Sequence, residues 1–285
     1  MEIDQQHISE SDVPAQLFEP TNAPISPDNP PWGSWAAIGT WAFSVMLIIL
    51  MPAIFLAPYL VSSGMLNEGS EKLSEFATKD PTAIVIQMLS IIPAHLLTLA
   101  FAWAVVTRFG RYSFFKTLGF TSGGVRWWHY LLIFVAFFAL AAVVGLYFPD
   151  TENELIRILK SSRTAVLVVA FMATFTAPIV EEVIYRGVLY SPLQRSIGVP
   201  AAVIAVTLIF SLVHVPQYYE SPQTIVLLTL LSLILTLMRV FSGNLLPCII
   251  FHTMVNGAQS AALILEPYLR TATDTSPATT FFPFN

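Results

Sequence analysis

Charge is what this sequence has least of. Of 285 residues only 11% are Asp, Glu, Lys or Arg, against 55% hydrophobic, and the mean hydropathy is +0.69. An average soluble domain carries about 25% charged residues. The supply for a water-facing surface is therefore less than half the usual, which rules out an ordinary soluble globule and a disordered chain. Cysteine is almost missing too. Cys248 stands alone, so neither an intrachain disulfide framework nor a cysteine-built zinc module is available. Bases are outnumbered, 13 against 18 acids, for a net charge of −5. Nucleic acid is not an expected partner, because its phosphates need Lys and Arg to neutralise them.

The first 34 residues hold no Lys or Arg, yet they carry Glu2, Asp4, Glu10, Asp12, Glu19 and Asp28. The rest of the chain is near neutral, with 12 acids and 13 bases. Pro14, Pro20, Pro24, Pro27, Pro30 and Pro31 fall in the same stretch and interrupt regular backbone hydrogen bonding. A basic n-region and a short apolar core, the marks of a signal peptide, are lacking. Residues 1–34 read as a disordered acidic, Pro-rich tail.

Beyond residue 34, apolar runs recur at membrane length. About 20 apolar residues cross the hydrocarbon core as a helix. Residues 29–67 contain no charged residue and are apolar over 35–60; further uncharged stretches cover 81–107, 127–149, 196–219, 221–238 and 240–265. One more apolar run, 164–190, is interrupted by Glu181, Glu182 and Arg186. The expected fold class is all-α: a polytopic membrane helical bundle of about seven transmembrane helices (six to eight) over 35–268, with a C-terminal tail at 269–285. Trp32, Trp35 and Trp41, and Trp127 with Trp128 and Tyr130, stand where interface anchors belong. Residues 155–159, which include Arg157 and are followed by Lys160, read as a short amphipathic helix on the surface. The most basic loop, 108–126, holds Arg108, Arg111, Lys116 and Arg126 and is expected in the cytoplasm with the tail. Membrane lipids are thus expected partners.

Three ionised groups lie within six positions of one span. Glu182 and Arg186 stand at i and i+4 in the favourable order, acid before base, and can neutralise each other. Glu181 is turned about 100° away from Glu182 and has no partner of opposite charge on its own helix. An isolated carboxylate in a membrane helix is functional by default. Two later spans repeat the i, i+4 arrangement, with Phe210 and His214 on one, His252 and Asn256 on the other. His95, alone in the second span, reads as a hydrogen-bonded packing residue. If the chain turns near Gly198, Glu181 lies 17 residues before it and His214 lies 16 after it. At 1.5 Å per residue both then sit roughly 24–26 Å from the turn, at one level.

In order and spacing, Glu181-Glu182-x-x-x-Arg186 with Gly187, Phe210-x-x-x-His214 and His252-x-x-x-Asn256 resemble the three motifs of the CPBP family. That group of intramembrane endopeptidases includes the type II CAAX prenyl proteases and bacterial proteins named for abortive infection or bacteriocin processing. The resemblance covers about 164–265, which would be the catalytic core. It implies that Glu181 is the general base that activates water, that His214 positions or deprotonates that water, and that His252 and Asn256 stabilise the oxyanion. Glu182, Arg186 and Phe210 would support them. The residue chemistry agrees, since imidazole and amide N–H groups both donate to developing negative charge.

A zinc reading competes, with Glu181, His214 and His252 as ligands. Against it, Asn256 is a poor zinc ligand and no His-Glu-x-x-His helix is present. No cofactor is therefore favoured, with Zn as the alternative. The implied substrate is a peptide or a membrane-anchored protein, prenylated in the eukaryotic relatives, and the implied location is a bacterial cytoplasmic membrane, multi-pass. Two other functions use the same residues: a proton-coupled transporter, or a non-catalytic membrane scaffold such as an immunity protein. The transporter has little support, because no repeat halves with matched broken helices are present.

Overall fold

The computed structural model describes residues 24–148 and 162–272. Among these residues the chain is helical: α1 (Ser34–Ser62), α2 (Ser70–Lys79), α3 (Pro81–Thr107), α4 (Phe114–Leu118), α5 (Trp127–Tyr147), α6 (Arg163–Ile197), α7 (Val199–Tyr218), α8 (Pro222–Ser242) and α9 (Leu246–Ala272). Seven of these are long and apolar enough to span a membrane: α1, α3, α5, α6, α7, α8 and α9 up to Glu266. The all-α polytopic bundle expected from the uncharged runs is what forms.

Local chemistry sets the helix ends. Asp80 accepts from the Ala83 N–H at 2.8 Å, with Pro81 in the first turn of α3, so an orphan donor is satisfied where proline has none to offer. α6 and α7 meet at Gly198, and α8 ends at Gly243, whose φ of +62° is left-handed. The α8–α9 turn also receives the basic loop. Leu245 N–H donates to Gly119 O at 2.8 Å. At Gly123, whose φ is +53°, a Cβ would run into the Ser242 carbonyl, so only glycine allows this docking.

Burial is inverted relative to a soluble protein. Small polar residues such as Thr40, Ser44, Ser90, Thr207, Ser211, Ser232 and Thr236 lie inside, while Ile49, Leu96, Leu132, Ile204 and Leu212 face outward. Small side chains let membrane helices approach closely, and hydrocarbon covers the apolar exterior. One apolar core joins α1, α3, α6 and α7, and a second lies between α5, α8 and α9.

The hydropathy pattern passes over α2, because its residues are charged. Glu68 with Lys72 and Glu75 with Lys79 form exposed i, i+4 pairs at 2.8 Å. The bond and charge of Lys79 hold the Glu75 carboxyl below its ordinary range. Such exposed pairs add little to stability.

The tail requires a correction. Residues 24–33, assigned to it on composition, are docked on the bundle. Trp32 is buried and its indole N–H donates to Val188 O at 3.0 Å. Arg195 donates to Asn29 Oδ1 at 2.7 Å and to Trp32 O at 2.9 Å. Arg239, itself buried, pairs with Asp28 at 2.8 Å and donates to Pro27 O. Pro192 explains the anchor: four residues after Val188, it has no N–H to return to that carbonyl, and Trp32 takes the vacant place. Trp32→Phe keeps the ring and strands the carbonyl, which should cost about 1–3 kcal/mol of unfolding free energy. Equilibrium unfolding of the purified variant in detergent checks this. At the other end, α9 continues to Ala272, past the expected boundary at 269. Residues 1–23, the surface helix expected at 155–159, and residues 273–285 lie outside the described residues.

Candidate active site

The site is built on an irregular helix. α6 is interrupted by two π-helical segments, Met172–Thr176 and Val183–Leu189, and such segments often mark functional positions. Pro178 accounts for the first. The Ala177 N–H reaches back five residues to Met172 O, so it no longer serves Ala173 O. The residue that would serve it in the π register is Pro178, which has no N–H. The stranded Ala173 carbonyl instead accepts from the Asn256 side-chain N–H, at 2.9 Å from α9. The proline on α6 thus creates the acceptor that fixes Asn256.

Glu182 and Arg186, on the same face as their spacing requires, are both fully buried and bond at 2.9 Å. Arg186 spends its other donors on α8, giving Nη2 to Ser232 O and Oγ at 2.9 Å each and Nε to Thr236 Oγ1 at 3.3 Å. Its guanidinium also lies 4.9 Å from the Phe210 ring centroid on α7. One side chain therefore ties α6, α7 and α8 together. Gly187 next to it permits close packing, since a Cβ there would lie 3.1 Å from Leu118.

Glu182 also holds His252. Its Oε1 accepts from His252 Nδ1 at 2.8 Å. A carboxylate paired with arginine can only accept, so Nδ1 carries the proton. The opposite nitrogen, Nε2, lies 3.8 Å from Glu181 Oε2. Glu181 is about a quarter exposed and makes no direct hydrogen bond among the described residues. On α7, His214 Nδ1 donates to Phe210 O at 2.6 Å, which leaves Nε2 with a lone pair. Phe210 sits between the histidines, its ring centroid 4.7 Å from that of His214 and 6.3 Å from that of His252. Tyr185, one turn below Glu181, packs on Phe210, one turn before His214, at 5.0 Å. That contact places Glu181 and His214 at matching levels of neighbouring helices, as the residue count predicts.

Several neighbours complete the surroundings of the site. His95 on α3 lies 3.0 Å from Thr176 Oγ1, within the first π segment. Trp41 of α1 donates to Tyr185 Oη at 3.3 Å. Ser232 and Thr236 receive Arg186, and their i, i+4 spacing in an apolar helix is the one sequence signal that would have singled them out.

Zinc requires its protein ligands around one point. Among the described residues no three His, Cys, Asp or Glu side chains are grouped to hold a metal ion. His252 Nδ1 bonds to Glu182, which leaves Nε2 as its free ring nitrogen.

Fold and site together define a polytopic membrane protein with ionisable groups gathered in its interior. Residues 163–258 match the family model of the type II CAAX prenyl endopeptidases described as Rce1-like. That match supports the resemblance of this segment to the CPBP family of intramembrane endopeptidases. No curated protein and no solved structure matches the chain.

Proposed function

We propose that the protein hydrolyses a peptide bond of a peptide or membrane-anchored protein within the membrane, using water activated by Glu181 without a metal. The observation that carries this reading is the divided pair. Glu182 is locked to Arg186 and His252, while its neighbour Glu181 is left partly exposed, with His252 Nε2 at 3.8 Å.

In the proposed reaction, water bonds to Glu181 and to the lone pair of His214 Nε2. Glu181 takes the water's proton as oxygen attacks the scissile carbonyl carbon. The carbonyl oxygen becomes an oxyanion. His252, as an imidazolium with Nδ1–H on Glu182, donates Nε2–H to it, and the second amide N–H of Asn256 is a further donor. Collapse of the tetrahedral intermediate breaks the C–N bond, and Glu181 passes its proton to the leaving amine. Glu182 does for His252 what a buried carboxylate does in a hydrolytic triad: it fixes tautomer and orientation.

The test is cleavage of a fluorogenic, membrane-anchored peptide by purified protein. His214→Ala should lower the rate about 10²-fold or more, and excess chelator should leave it unchanged. Loss of cleavage with chelator, restored by Zn²⁺, would overturn the metal-free route. Undiminished cleavage by the variant would remove His214 from the reaction.

A further inference from the structure

A second polar feature lies away from the Glu-His cluster, at the end of the α1–α3 pair. A cavity of about 500 Å³ opens there between the start of α1 and the end of α3. Its walls are mostly apolar, with Trp32 and Ala36 on one side and Val105 and Phe109 on the other, and Arg108 and Arg111 also line it. Both arginines are exposed, and neither has an acidic partner among the described residues.

The backbone that forms this wall is strained. Arg108 and Phe109 are consecutive non-glycine residues at φ +47° and +58°. Each such residue costs on the order of 1–3 kcal/mol, and strain of this kind gathers at ligand clamps. Phe109 is 85% exposed and Trp35 87% exposed, which suits aromatic side chains at the level of lipid headgroups.

We infer that this cavity binds an anionic phospholipid, with its phosphate between Arg108 and Arg111 and an acyl chain against the apolar wall of the cavity. Three observations select that occupant. Seven helices are long and apolar enough to span a membrane, and the cavity lies at the end of one of them, α3. Two guanidinium groups without a carboxylate call for phosphate, which matches their fork geometry. The apolar wall calls for a ligand that is half hydrocarbon. The most basic loop also marks the leaflet as the cytoplasmic one, where anionic lipids concentrate in many membranes.

The site is mechanically joined to the catalytic helix. Trp32 lines the cavity and also donates to Val188 O in the second π segment of α6, two residues beyond Arg186. A bound lipid holds Trp32 against α6, so occupancy should stabilise the fold whatever reaction α6 supports.

The experiment uses the full chain purified in neutral detergent and titrated with phosphatidylglycerol or phosphatidylcholine in mixed micelles. Binding is read by native mass spectrometry and thermal unfolding. Phosphatidylglycerol should bind and raise the unfolding temperature, with phosphatidylcholine at least about tenfold weaker. R108Q/R111Q should lose at least about tenfold in phosphatidylglycerol affinity. K116Q/R126Q removes the same charge from the same loop but away from the cavity, and should bind like wild type. Equal binding of the two lipids, equal losses in the two double variants, or full reproduction of the shift by soluble glycerol phosphate would each overturn the inference.

Discussion

Replacing Arg186 by methionine is expected to lower the unfolding free energy by about 3–5 kcal/mol, the usual cost of breaking a buried ion pair from one side. The side chain has no exposure, and its donors serve four acceptors: Glu182 Oε1, Ser232 O, Ser232 Oγ and Thr236 Oγ1. Methionine fills much of the volume but satisfies none of them. Glu182 suffers most. Its Oε2 already lacks a partner, and after the substitution His252 alone would face its Oε1. A carboxylate in that position is desolvated without compensation. Lysine is no remedy, because a single ammonium cannot fork to Glu182 and Ser232 at once.

The double variant Glu182→Gln/Arg186→Met removes both charges. It should be more stable than the sum of the two single effects predicts, with a coupling of at least about 1 kcal/mol. Equilibrium unfolding in mixed micelles provides all three values. A loss under about 1 kcal/mol for Arg186→Met would mean that the arginine is not the staple joining α6, α7 and α8.

How much of this is legible in the sequence varies by residue. Glu182 and Arg186 are readable as a pair because helical geometry alone brings i and i+4 together. The level match of Glu181 and His214 is readable because rise per residue and a turn at Gly198 suffice to compute it. The role of Glu182 as the anchor of His252 is not readable, since it depends on how α9 is seated against α6. The same holds for Asn256. Its partner is a backbone carbonyl, stranded only because Pro178 shifts the helix into the π register. The proline is visible; its effect on a carbonyl five residues earlier needs the backbone. Trp32 is misassigned for a related reason. Composition places it in a tail, while an acceptor left open by Pro192 draws it into the bundle. Composition measures solvent preference and carries no information about orphan carbonyls.

The division of labour between adjacent glutamates leads to the second large effect. Glu181 is outside the Arg186 network, partly exposed and without a direct hydrogen bond among the described residues. Changing it to glutamine preserves size and polarity, so stability should stay within about 0.5 kcal/mol of wild type. The amide cannot take a proton from water. Loss of a general base typically costs 10²–10⁴-fold, and cleavage should fall in that range. Glu182→Gln should behave differently, losing stability and activity together, because it weakens the hold on both Arg186 and His252.

The most direct measurement is the cleavage rate of a membrane-anchored peptide by Glu181→Gln, taken on protein whose unfolding transition matches that of wild type. The account predicts a fall of at least about 100-fold with the transition unchanged. Cleavage at the wild-type rate by that folded variant would contradict it.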